Sequence, residues 1–158
     1  MGTHEKWMHQ ALLEASIAAS KGEVPIGAVA VMGDEIIAKA HNVRESTQDP
    51  LGHAELLLLK KLSEKHQSWR LNEITVYVTC EPCIMCTGAL IQARIPHLVF
   101  GCFEAKTGAC GSLYNLSQDQ RLNHQIEVVS GVLQNECAGQ LTKFFKSIRQ
   151  GVEVEMKI

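Results

Sequence analysis

Apolar positions along the chain recur with two periods, about 3.6 residues in some stretches and 2 in others, and the switches between them mark out elements. Over residues 4–20, Trp7, Met8, Ala11, Leu12, Ala15, Ala18 and Ala19 fall at helical spacing, and Gly22 closes the segment. Residues 24–32 are apolar, Gly33-Asp34 offers a turn, and residues 35–40 continue as a second strand, which predicts a hairpin. Residues 53–65 read as a helix whose leucines at 56–59 are too apolar for an exposed surface, so it packs on a sheet. Residues 73–79 form a strand rich in β-branched and aromatic side chains. Residues 82–94 make a nearly uncharged helix, with Pro82 in the first turn, where a missing N–H does no harm. Residues 97–101 and 126–132 are further strands, and 135–150 a closing amphipathic helix. A hairpin followed by strands alternating with helices predicts a mixed sheet of about five strands covered on both faces, a three-layer α/β/α sandwich. No repeat, low-complexity tract or linker interrupts the pattern, so residues 1–158 read as a single domain.

Composition changes this picture little. The 158 residues, 46% of them hydrophobic and 20% charged, suffice to bury a core without disulfides. A net charge of -2 excludes a polycation of the kind that binds nucleic acid nonspecifically, and leaves room for a local basic patch. The polar start runs straight into a helical pattern and no long apolar run follows, so the expectation is a cytoplasmic protein with no membrane contact. Six cysteines then read as reduced thiols or metal ligands.

Two short segments concentrate the chemistry, His53-Ala54-Glu55 and Pro82-Cys83-Ile84-Met85-Cys86. Each opens a predicted helix, where free N–H groups and partial positive charge favour thiolates and carboxylates. Cys83 and Cys86 stand three apart and share one helix face. If the two helix starts face each other, one imidazole and two thiolates converge. Zinc takes four ligands, so three from the protein leave a position for water, the catalytic arrangement. Zinc lowers the pKa of the water it binds from about 15.7 to roughly 7. Glu55, in the same turn as His53, is placed to take that proton and return it to a substrate nitrogen and leaving ammonia. His-x-Glu with Pro-Cys-x-x-Cys is the established signature of zinc nucleobase deaminases.

Other readings compete. Cys-x-x-Cys alone also fits a redox dithiol or a structural zinc knuckle, but a redox pair has no use for His53 or Glu55. Cys80, Cys83 and Cys86 spell part of an iron–sulfur run, with no cysteine following closely to complete it. Cys80 as a fourth thiolate would close the site to water; at the end of a strand it reads instead as a small apolar packing residue. Cys102, Cys110 and Cys137 have no ligand spacing, and His4, His9, His66 and His97 read as surface or packing residues.

On these residues the chain resembles the bacterial tRNA-specific adenosine deaminases, within the cytidine-deaminase-like superfamily. The resemblance runs through residues 22–28, 40–42, 53–55, 77–79, 81–86 and 105–108, then Asn123-His124, residues 131–133 and Phe144-Phe145. Residues 100–116 and the paired phenylalanines point to the tRNA enzymes in particular. The resemblance implies hydrolysis of adenosine to inosine at the wobble position of a tRNA anticodon, an arginine tRNA, by a homodimer with one zinc ion per subunit. It implies that Asn42 contacts the flipped nucleoside and Glu55 shuttles the proton. Leu51-Gly52 and Cys80 depart from the usual pattern and bear on pocket shape.

Stacking an unpaired base needs aromatics, and an RNA backbone needs cations. Lys143, Lys146 and Arg149 lie on one side of the closing helix with Phe144 and Phe145 between them. The same pattern fits a solvated basic face with phenylalanines in the core. Arg44, Arg70 and Lys106 are further candidate cations, Asn123 and His124 further candidate contacts, and Asn42 alone would pass for a turn residue. Two other functions stay open. A deaminase of a free base or nucleoside, such as guanine or cytosine, would not require the loop at 105–116 or the basic helix. A non-catalytic structural-zinc or RNA-binding module would leave Glu55 idle.

Overall fold

Alternation along the predicted strands becomes a sheet with two apolar faces. The computed structural model describes residues 2–156. Its elements are α1 (Thr3–Ser20), β1 (Gly27–Met32), β2 (Glu35–His41), α2 (Arg44–Thr47), α3 (Ala54–His66), β3 (Thr75–Cys80), α4 (Ile84–Gln92), β4 (His97–Cys102), β5 (Glu127–Val129) and α5 (Gln134–Met156). The strand order is β2-β1-β3-β4-β5. Along β1, Ala28 and Ala30 face one core while Val29 and Val31 face the other. The first core takes Leu58 and Leu62 from α3 and Leu90 and Ile91 from α4; the second takes Trp7, Met8 and Ala11 from α1 and Cys137 from α5. The expected α/β/α layering with five strands is what forms. Each fully buried leucine contributes about 1.5–3 kcal/mol of transfer free energy, so α3 is held by its inner face rather than by propensity.

Strand directions decide where the helices begin. β1 is antiparallel to β2 and to β3, so β2 and β3 run the same way. α3, reached from β2 through α2, and α4, which follows β3, therefore both start at the same end of the sheet. α3 and α4 also share a face, since both contribute to the same core. β4 and β5 continue parallel to β3.

Several boundaries differ from the sequence expectation, for local reasons. The strand expected over 24–32 begins at Gly27, because Pro25 has no N–H and the Ile26 N–H turns back onto the Val24 carbonyl at 2.8 Å. The helix expected over 82–94 begins at Ile84, with Cys83 extended as its N-cap, and Arg94 at φ 64° closes the turn beyond Gln92. The strand expected over 126–132 spans only Glu127–Val129, because Gly131 and Leu133, at φ 80° and 53°, swing the chain into α5. The short helix α2 was not expected. Among the described residues, no helix is long and apolar enough to cross a membrane.

Candidate active site

His53 is the N-cap of α3 and Cys83 the N-cap of α4, both with extended backbone, and Cys86 lies in the first turn of α4. The shared end of the sheet brings them together. His53 Nδ1 lies 3.7 Å from Cys83 Sγ and 3.5 Å from Cys86 Sγ, and the three ligand atoms all fall within 4.8 Å of one another. A tetrahedral zinc with ordinary Zn–N and Zn–S bonds has N···S edges of about 3.6 Å, so the donor set fits that ion in kind and in spacing. Cys83 is pulled down to about 4, first by a hydrogen bond from Cys86 and then by one from His53, against the effect of burial. A thiolate is the ligand form of cysteine, so the site is electrostatically disposed toward a cation.

Cys80 stands outside this group. It is buried in the second core and registers directly with Cys102 on β4. The metal-capable group among the described residues is His53, Cys83 and Cys86.

Glu55 lies in the first turn of α3 and is 4% exposed. Burial pushes its carboxyl up to about 7. A carboxyl with such a pKa both takes and gives a proton at neutral pH.

Asn42 is buried at the end of β2, and its Oδ1 accepts the Ala54 N–H at 2.9 Å. The side chain thus caps the start of α3 and ties β2 to the histidine's own turn. Val43 N–H bonds the Gly52 carbonyl at 2.9 Å beside it. A Cβ at Gly52 would come within 2.9 Å of the Arg44 Cα and N, so the departure at this position matches a close approach of backbone. Arg44 opens α2, exposed, with Glu45 at 3.6 Å.

Lys106 is exposed on the loop after β4. That loop returns to the metal group, where Gly108 pairs with Cys83 in an antiparallel bridge and Ala109 N–H bonds the Pro82 carbonyl at 2.9 Å. Leu113 and Tyr114, 54% and 53% exposed, follow on the same loop. Asn123 and His124 are not brought to the metal group. His124 Nε2 bonds the Ile95 carbonyl at 2.8 Å, just before β4, whereas the metal group follows the far end of the neighbouring parallel strand β3. Phe144, Phe145 and Arg149 lie on α5, on the sheet face opposite α3 and α4. Phe144 lines a groove against α1 with Ser16, Ala19 and Lys143, while Phe145 is 43% exposed and Arg149 is exposed.

One residue of the site had no role in the sequence reading. Glu81, 3% exposed, buries its carboxylate under the 104–112 loop. Burial alone would raise its pKa, but hydrogen bonds from Ser112, Glu104 and Cys110 outweigh that and hold it below 4.5. Its place between a strand and Pro82-Cys83 was the only signal in the sequence, and a charged residue there passes for a solvated one.

The family profile of the MafB19-like deaminases matches residues 2–149. The chain belongs to the MafB19-like deaminase family. Among relatives of this deaminase, the tRNA-specific adenosine deaminase of Bacillus subtilis is 50% identical over 150 residues, covering 95% of this chain and 93% of the relative. A solved structure from a study of A-to-I editing by tRNA:A34 deaminases superposes with a TM-score of 0.83 at 36% identity, covering 86% of this chain and 99% of the other. A guanine deaminase from Nitrosomonas europaea superposes at 0.71 with 22% identity, covering 89% of this chain and 83% of that one; it shares the fold.

Proposed function

We infer that the chain hydrolyses adenosine to inosine at the wobble position of a tRNA anticodon, an arginine tRNA being the expected substrate. The observation that carries this is the juxtaposition of a buried Glu55 with the His53, Cys83 and Cys86 donors, in a chain half identical to a protein named tRNA-specific adenosine deaminase. His53, Cys83 and Cys86 would hold one zinc ion per subunit, which supplies Lewis acidity and makes water a nucleophile at neutral pH. Glu55 removes the proton of the attacking water, delivers it to the purine ring nitrogen, and serves the departing ammonia in turn. Asn42, fixed by the bond its Oδ1 accepts from Ala54, would orient the nucleoside through its free amide N–H groups. Arg44, Lys106 and Tyr114 supply exposed charge and stacking surface around the entrance, and the exposed Phe145 with Arg149 supplies more from α5. Asn123 and His124 meet RNA in this reading only away from the reacting base. A homodimer is expected, and a tRNA substrate puts the reaction in the cytoplasm.

A base-specific enzyme remains the rival, supported by the fold shared with the guanine deaminase. Incubation with an arginine tRNA anticodon stem-loop carrying a wobble adenosine decides between them, with free adenosine, guanine and cytosine run alongside. Inosine in the RNA is the expected product; ammonia from a free base and none from the RNA would establish the rival.

A further inference from the structure

Glu81 takes no part in the steps above, yet its surroundings are the most fully determined of any charged side chain near the site. One carboxylate oxygen accepts the Glu104 N–H at 3.0 Å and the Ser112 hydroxyl. The other accepts the Cys110 and Ser112 N–H groups, each at 3.0 Å. A carboxylate offers about four acceptor sites, so this one is saturated by a single stretch of chain. That stretch is irregular, and the N–H groups of residues 104, 110 and 112 are given to the carboxylate and not to backbone carbonyls, so without it these three lose their acceptor. Gly108 passes so close that a Cβ there would lie 2.3 Å from the Glu81 carboxyl carbon.

The outer side of the stretch faces the chemistry. Gly108 is bridged to the ligand Cys83, and the Gly108 carbonyl accepts the N–H groups of the exposed Leu113 and Tyr114 at 2.9 and 3.2 Å. Glu81 itself is anchored by its N–H to the Cys102 carbonyl at 2.9 Å, an extension of the β3–β4 ladder. Sheet, carboxylate, loop and metal ligand are thereby linked in one chain of contacts.

We propose that Glu81 is a positioning residue, whose carboxylate fixes residues 104–114 as a wall beside Cys83 and so sets where the substrate rests. This rests on the deaminase reading for its substrate, but the wall itself is a property of the chain. A residue needed only for folding would affect stability alone; a wall affects substrate binding at constant metal content.

The test uses the whole zinc-loaded protein with two substitutions. Glu81→Gln keeps the shape but turns one acceptor into a donor facing donors. Ser112→Ala, at an exposed position, removes one hydroxyl donor and decides the matter alone if the first variant does not fold. Amide exchange at residues 104, 110 and 112 is measured together with zinc per chain, and with kcat and KM on the stem-loop. In Glu81→Gln, exchange and KM are each expected to rise about tenfold, the factor attached to a lost charged hydrogen bond, with zinc retained and kcat little changed. Ser112→Ala is expected to move exchange and KM in the same direction by less. Unchanged exchange in both variants overturns the proposal, as does zinc loss in step with activity, or a lower melting temperature with kcat/KM intact. Should the wild-type chain deaminate no RNA, the functional reading fails while amide exchange still decides the wall.

Discussion

At the scale of residues, what distinguishes this site is a carboxyl deprived of water beside donors fit for a metal. Glu55 is held among Cys86, the start of α3 and the first core, and loss of solvation is the main cause of its rise to about 7. Since it is not among the three metal donors, Glu55→Ala should keep its zinc while kcat falls by about 100- to 10,000-fold, the range for a lost general acid–base group. Zinc analysis beside single-turnover kinetics checks this, and near-normal turnover would remove Glu55 from the mechanism. Cys83 and Cys86 could be placed together from the sequence because positions three apart in one turn share a side. His53 and Glu55, two positions apart, share no helix face and were joined to them only by the motif. Glu81 and Asn42 were not legible in the same way. The partners of Glu81 lie 23 to 31 positions downstream in irregular chain. Asn42 turns out to cap a helix that begins 12 residues later, a contact no local pattern announces.

At the scale of elements, the periodic segments were readable and the capped, short ones were not. α2 spans four residues, too few to hold itself together, and its N-cap Val43 has no side-chain hydrogen bond to offer. The cap comes instead from Glu23, buried between α1 and β1, whose carboxylate accepts the Glu45 N–H at 3.0 Å and the Ser46 N–H at 2.6 Å. Burial works against the charge on Glu23, but the bonds from Ser46 and Glu45 prevail and hold its pKa below 4.5. With a folded pKa below the unfolded one, the unfolded chain binds the extra proton, and stability rises with pH through the interval between them. The contribution of Glu23 is therefore complete above pH 4.5 and lost as pH falls through its lowered folded value. The stability gap between wild type and Glu23→Gln, measured by urea unfolding, should be level above about pH 5.5 and narrow in more acid solution. A gap that widens on acidification would mean that another group supplies the cap.

At the scale of the whole molecule, sequence reading could state that two helix starts must meet but could not make them do so. What does is the antiparallel insertion of β1 between β2 and β3: its hairpin with β2 was readable, but its pairing with β3, as of Ala28 with Val78, joins segments far apart in the chain and leaves no periodic trace. The distribution of charge was likewise hidden by the balance of 17 acidic against 15 basic residues. In the fold, Lys143, Lys146 and Arg149 are all exposed on α5, and Phe145 beside them is not in the core. A single exposed phenylalanine is ordinary surface, but under the proposed function its ring among three cations offers the stacking and charge that RNA binding uses. If these cations meet phosphates, each one releases condensed counterions, and log K against log salt steepens by about 0.7 to 0.9 per contact. Replacing all three by alanine should weaken binding of the stem-loop and flatten that slope by about 2, while kcat at saturating RNA changes little because none touches the donor set. Titrations of wild type and triple variant at several salt concentrations measure it directly. A slope that does not move would take α5 off the path of the RNA and leave Arg44, Lys106 and Arg70 to account for whatever salt dependence remains.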